Sequence, residues 1–313
     1  MSTAAAQEKG ALAVGAGSPR AWVLATRPHT LPVGVVPVVL GAVAALRLGT
    51  VRMGAVLAAL AGAMLIQIGT NLANDVFDHE KGADTPDRIG PTRVTQAGLL
   101  TARQVRTAMV ASFGLAVAVG VYLTWVAGPI IVAIGIASIA AGIAYTGGPY
   151  PLGYHGLGDI FVLAFFGPVA VCGTAFVACG RVDAFAVVAG IATGSLATAV
   201  LVVNNVRDVN TDRVANKRTL AVRWGRAFGV AEYACLLAAA EILPVALVLA
   251  GLAHPAAAAT LVTVPWAVKL VGTLRSSSDG PTLNRCLANT ARLLLVHGII
   301  FAVGSAWPSL AGR

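Results

Sequence analysis

Charge is scarce in this chain. Only 11% of its 313 residues are Asp, Glu, Lys or Arg, where a soluble domain carries about 25%. That excludes an ordinary water-soluble fold. Acidic residues are scarcest, thirteen against 22 basic ones. The four cysteines (Cys172, Cys179, Cys235, Cys286) form no CxxC pair and mostly lie in apolar runs, so a disulfide frame and a zinc site are both excluded. Polar–apolar alternation is also missing, and a membrane barrel would need it. What the chain does have is hydrophobic length: 57% apolar residues and a mean hydropathy of +0.81.

Apolar runs recur at 31–46, 53–74, 105–126, 129–146, 159–179, 184–206, 227–250, 255–272 and 290–310. Runs of roughly 18 to 25 apolar residues are long enough to cross a hydrocarbon layer as helices. The expected class is therefore all-α and integral to the membrane, with about nine transmembrane helices. Residues 1–18, rich in Ala and Gly, read as a disordered tail ahead of one membrane domain, 19–313. Residues 19–27, with Trp22, read as a segment lying on the membrane surface.

With nine spans and a cytoplasmic N-terminus, 18 of the 22 basic residues fall on inside segments. Lys and Arg accumulate on the cytoplasmic side of membrane proteins, which accounts for the net charge of +9 without invoking nucleic acid.

More than half of the acids sit in two places. Asp75, Asp78, Glu80, Asp84 and Asp87 follow the second apolar run, and Asp208 and Asp212 follow the sixth. Both places read as cytoplasmic. Asn74-Asp75-Val76-Phe77-Asp78 and Asn204-Asn205-Val206-Arg207-Asp208 share a pattern, which points to two quasi-repeated four-helix units around a central cavity.

On a helix, Asp75 and Asp78 share a face, as do Asp208 and Asp212. Both pairs fall at helix C-termini, where the macrodipole already disfavours anions and where simple capping by Asp or Asn is not the rule. Carboxylates near a membrane are expensive and usually functional. Four acids with Asn71, Asn74, Asn204 and Asn205 offer hard oxygen ligands suited to Mg²⁺, which characteristically shares its shell with substrate phosphates. Lys81, Arg207, Lys217 and Arg218 are the adjacent phosphate-binding cations. The pattern points to an apolar substrate carrying a diphosphate.

Several motifs in this order resemble the UbiA-type intramembrane aromatic prenyltransferases. They are Arg27-Pro28-His29-Thr30-Leu31-Pro32; Asn71-x-x-Asn74-Asp75-x-x-Asp78 continuing to Gly82-x-Asp84-Thr85; Arg93-Val94-Thr95-Gln96-x-Gly98; Tyr145-Thr146-Gly147-Gly148-Pro149 with Pro151-Leu152-Gly153-Tyr154; and Asn204-Asn205-x-Arg207-Asp208-x-x-x-Asp212 with Lys217-Arg218-Thr219-Leu220. Tyr-Thr-Gly-Gly-Pro and Lys-Arg-Thr-Leu are closer to the branch that prenylates 1,4-dihydroxy-2-naphthoate. Asp159 departs from the Glu expected there and keeps the charge.

The resemblance implies Mg²⁺ held by Asp75, Asp78, Asp208 and Asp212. It also implies substrate contacts from Arg27, Asn71, Asn74, Lys81, Asp84, Tyr145, Asn204, Arg207, Lys217 and Arg218. The implied partners are polyprenyl diphosphate, the aromatic acceptor and membrane lipid. One rival keeps the fold and changes the acceptor to 4-hydroxybenzoate, homogentisate or haem. Another is a secondary transporter, with the inside acids as ion sites.

Overall fold

A backbone inside lipid has to satisfy its own hydrogen bonds, and helices do so within one segment. The computed structural model describes residues 14–82, 90 and 92–311, with side chains as far as 307. Among these, every regular element is a helix or a helical turn. Each apolar run falls on one: α2 Pro32–Arg47, α3 Met53–Glu80, α4 Ala102–Ala127, α5 Ile130–Ala144, α6 Gly158–Cys179, α7 Ala184–Arg207, α10 Arg226–Leu249, α11 Pro255–Ser276 and α12 Gly280–Ala311. The short α1 Pro19–Thr26, α8 Val209–Val214 and α9 Leu220–Trp224 lie between or before them.

Seven of these (α3, α4, α6, α7, α10, α11 and α12) are long and apolar enough to span a membrane. The segment Pro19–Thr30 passes the same test jointly with α2 across a 52° bend. At that bend Arg27 adopts the left-handed conformation (φ 52°), and Pro32 opens α2 at a position where its missing N–H does no harm. The apolar helix α5 is shorter, at 15 residues.

Helices extend past their apolar runs. Hydropathy ends the second run at 74, yet α3 continues to Glu80 and carries Asp75 and Asp78 within it. Similarly α12 starts at Gly280, ten residues before its apolar run. Polar helical turns protruding from lipid leave no mark in hydropathy.

Residues 1–13 of the expected tail lie outside the described residues. Of the remainder, Gly17 N–H donates to Leu99 O at 2.8 Å and Val14 packs against the buried cluster that includes Ala21 and Val94.

Helices in lipid gain little from hydrophobic burial against each other, so close packing of small residues dominates. The most enclosed helix, α7, follows this rule. Around Phe165–Val169 α6 widens into a π turn, with Gly167 far from helical geometry (φ −112°, ψ −113°). A Cβ on Gly194 would lie 2.4 Å from Leu163 O and 3.0 Å from Gly167 Cα, so the α6 and α7 backbones nearly touch.

Apolar side chains of α2, α6, α7, α10, α11 and α12 form the main core. A second core joins α1, α3 and α4 to the turn at 94–100. The two acidic segments close α3 and α7, so each core carries one of them.

Candidate functional site: two acidic segments above an apolar cavity

The first segment is folded around its own acids. Asp75, buried, accepts Val94 N–H at Oδ2 and Thr95 N–H at Oδ1, each at 3.1 Å. Asp78, also buried, accepts from Arg93 Nη2 at 2.7 Å and from the Tyr154 hydroxyl at 2.9 Å. Asn74 Oδ1 accepts from Thr146 Oγ1 at 2.9 Å, and Lys81 Nζ donates to Thr146 O at 2.5 Å. These two bonds stitch the Tyr-Thr-Gly-Gly-Pro turn onto the end of α3. A Cβ on Gly147 would lie 2.7 Å from the Phe77 ring, so this approach requires glycine.

The second segment is bound more tightly. The Arg207 side chain has no exposed surface and grips Asp208 with both Nε (2.7 Å) and Nη2 (2.6 Å). Its Nη2 also reaches Asn204 Oδ1 at 2.5 Å, and its Nη1 donates to Asn284 Oδ1 on α12 at 2.7 Å. Asp212 lies on α8, with Lys217 Nζ 3.8 Å away and Lys217 N–H donating to its carbonyl at 2.8 Å.

Tyr154 connects the two. Besides its bond to Asp78, its ring lies 5.0 Å from Lys81 Nζ and 5.2 Å from Lys217 Nζ, within cation–π range. Its carbonyl accepts Arg218 N–H at 2.8 Å. A continuous chain therefore runs Asp78–Tyr154–Lys217–Asp212, and both acidic segments meet in one place.

Removing only the hydroxyl, in Tyr154→Phe, takes one donor from a buried carboxylate, worth roughly 1.5–3 kcal/mol. The expected result is a fall in kcat/KM, for the transfer reaction that the resemblance implies, of about tenfold to a hundredfold, with membrane insertion unchanged. Activity within twofold of wild type would remove Tyr154 from the site.

Beneath this cap lies a cavity of about 430 Å³ walled by α2 to α6, with Tyr145, Gly34, Gly135, Phe161 and Phe165 among its lining. Val117, Val121, Val132 and Ile136 line it and are also exposed, so it opens through the apolar flank of the bundle. Partial burial lowers the Lys81 ammonium, against the opposing pull of Asp78.

The remaining expected residues are distributed as follows. Asn71 donates to Thr26 O at 3.0 Å and Thr30 Oγ1 at 3.3 Å, holding the bend near Arg27. Arg27 itself is half-buried at that bend, and the Arg218 side chain is exposed. Asp84 lies outside the described residues. Sequence reasoning missed Arg93, Thr146, Tyr154 and Asn284 as members of the site. The resemblance motifs contained the first three of these. The buried Asp159 accepts from Asn205 Nδ2 at 3.3 Å, which places it next to the second segment.

Mg²⁺ is tested by the donor set. A carboxylate offers about four lone-pair sites, and the hydrogen bonds given above for Asp78 and Asp208 leave sites over on each. Among the described residues no three His, Cys, Asp or Glu side chains converge into a ready-made shell. Mg²⁺ does not need one, because it keeps waters and takes one or two carboxylates plus substrate phosphates. The residues fit it in kind.

The helical bundle and its capped, laterally open cavity define a multi-pass integral membrane protein able to hold a charged head over an apolar tail. The chain belongs to the UbiA prenyltransferase family, whose model matches residues 34–296. It is 41% identical to a 1,4-dihydroxy-2-naphthoate octaprenyltransferase of Mycobacterium tuberculosis, over 93% of this chain and 98% of that one. It is 35% identical to the Escherichia coli protein of the same description, over 91% and 94% respectively. Two solved structures share the fold. They are a UbiA homologue from Aeropyrum pernix K1 (TM-score 0.64, 15% identity, 90% and 97% covered) and one from Archaeoglobus fulgidus bound to GPP and Mg²⁺ (0.62, 13%, 90% and 100%).

Proposed function

We propose that this protein transfers a polyprenyl group from polyprenyl diphosphate to 1,4-dihydroxy-2-naphthoate, in a Mg²⁺-dependent reaction of menaquinone biosynthesis that yields demethylmenaquinol, the reduced form of demethylmenaquinone. The observation that carries this reading is the chain Asp78–Tyr154–Lys217–Asp212 closing the top of an apolar, laterally open cavity. Relatives described as naphthoate octaprenyltransferases support the acceptor.

Asp78, Asp208 and Asp212 are the carboxylates offered to Mg²⁺. When bound, Mg²⁺ supplies positive charge against that developing on the departing diphosphate. Lys81, Lys217 and Arg218 bind the diphosphate oxygens, while Arg207 and Asn204 hold Asp208 in place. Asn71 and Arg27 shape the bend that flanks the cavity. Tyr145 presents its hydroxyl to the reacting groups, and the apolar walls exclude water from the allylic cation. The carbon–oxygen bond to diphosphate breaks and a bond forms to the carboxyl-bearing ring carbon. The carboxylate then leaves as CO₂ and its electron pair restores the aromatic ring.

In this reading the chain has nine spans in two quasi-repeated four-helix units within a single domain. The N-terminus and the site face the cytoplasm at the plasma membrane, a topology favoured by the basic residues on inside segments.

Purified protein is to be given labelled polyprenyl diphosphate with each candidate acceptor, with and without Mg²⁺. The expected result is Mg²⁺-dependent labelling of the naphthoate with release of diphosphate and CO₂. Labelling of 4-hydroxybenzoate alone would reject the acceptor, and solute flux across vesicles without diphosphate release would favour a transporter.

A further inference from the structure

The two acids of the first pair share a helical face but face different partners. Asp78 meets the Arg93 guanidinium and the Tyr154 hydroxyl, which belong to the shared site. Asp75 is only 3% exposed and has both carboxylate oxygens turned to main-chain N–H groups, those of Val94 and Thr95, nineteen and twenty residues away.

A carboxylate accepting two main-chain donors does the work of a helix cap or an anion nest for a turn that has no helix of its own. The turn repeats this tightness internally. Leu99 N–H and Leu100 N–H both donate to Val94 O, at 2.9 and 3.2 Å, and Ala97 N–H donates to Arg93 O at 2.9 Å. Val94 has no exposed surface and packs in the core of α1, α3 and α4. The residue immediately before the two strapped amides is Arg93, whose guanidinium closes on Asp78.

We infer that Asp75 is a positioning residue: its carboxylate straps the 93–95 turn to α3 and so sets Arg93 against Asp78, while metal and diphosphate are handled by Asp78 and the second segment. The inference rests on the proposed Mg²⁺ site only for the division of labour. The strap itself is a separate claim.

The test compares Asp75→Asn with Asp78→Asn in the full-length protein. Two measurements are made, hydrogen exchange of the peptide covering 92–100 and calorimetric Mg²⁺ binding in the presence of geranyl diphosphate. Asn replaces one acceptor oxygen by an N–H₂ donor that opposes a main-chain N–H. Asp75→Asn is therefore expected to speed exchange at 94 and 95 by about tenfold or more, the equivalent of losing one hydrogen bond to a charged group. Mg²⁺ affinity should stay within about threefold. Asp78→Asn should do the reverse, weakening Mg²⁺ by more than about tenfold with exchange little changed.

Unchanged exchange in Asp75→Asn would overturn the strap, and a loss of Mg²⁺ affinity matching Asp78→Asn would overturn the division of roles. If Asp75→Asn does not accumulate, Asp75→Ser keeps one acceptor oxygen and is held to the same two criteria. Absence of Mg²⁺ binding by the wild type would sink the metal reading while leaving the exchange arm decisive for the strap.

Discussion

Asp208→Asn is expected to reduce prenyl transfer by about two to three orders of magnitude, the usual effect of removing one preorganised charge-stabilising group. The same substitution also disturbs folding, because Arg207 is fully enclosed and makes two of its four closest bonds to this carboxylate. Breaking a buried pair from one side costs about 3–5 kcal/mol, since the other charge is left uncompensated.

The two effects separate in a double variant. Arg207→Met with Asp208→Leu removes both charges and fills similar volume, and such replacements are often neutral or stabilising. The thermal midpoint in detergent should return close to wild type while transfer stays absent. Recovery of transfer together with stability would show Asp208 to be only the counter-ion of Arg207.

The second large effect concerns the cavity. Gly135 lines it, and a Cβ built there meets no atom within 4 Å. It lies ten residues before Tyr145, roughly 15 Å down the helix at 1.5 Å per residue. A phenyl group in Gly135→Phe would project into space that a long isoprenoid tail is proposed to fill. Transfer from octaprenyl diphosphate should fall more than about tenfold, the loss expected from one forced steric overlap of 1–3 kcal/mol. Geranyl diphosphate ends above the obstruction and should be used at close to the wild-type rate. Equal losses with both donors would place the tail elsewhere.

Much of this architecture could be read from the residues. Hydrophobic runs located the helices because lipid demands continuous apolar length, and the acids stood out because so few others exist. The pair Asp75/Asp78 was visible as one helical face, whereas the expected shared face of Asp208 and Asp212 is broken, because Asp208 ends α7 and Asp212 lies on the separate short helix α8. What the first face meets was not visible.

Two residues three apart differ by about 60° around a helix, enough for Asp75 to reach a main-chain turn and Asp78 a guanidinium. Periodicity reports a direction and says nothing of the neighbour that occupies it. Tyr154 escaped notice for a related reason. Its importance comes from lying between Lys81 and Lys217, which are 73 and 63 residues away along the chain. Arg207 shows the converse. It reads as a phosphate ligand in the sequence, and in the structure its guanidinium turns four N–H groups to Asp208, Asn204 and Asn284.

The gap in the flank of the bundle, where Val117, Val121, Val132 and Ile136 are both cavity lining and outer surface, changes what substrate concentration means. A greasy donor entering there is drawn from a two-dimensional pool, and its supply is set by mole fraction among lipids. Adding detergent micelles at fixed protein and substrate should then slow turnover by dilution within the amphiphile phase, although the molarity in the tube is constant. A prenylated product with no charged group would leave the same way, spreading sideways through the bilayer to whatever acts on it next without meeting bulk water.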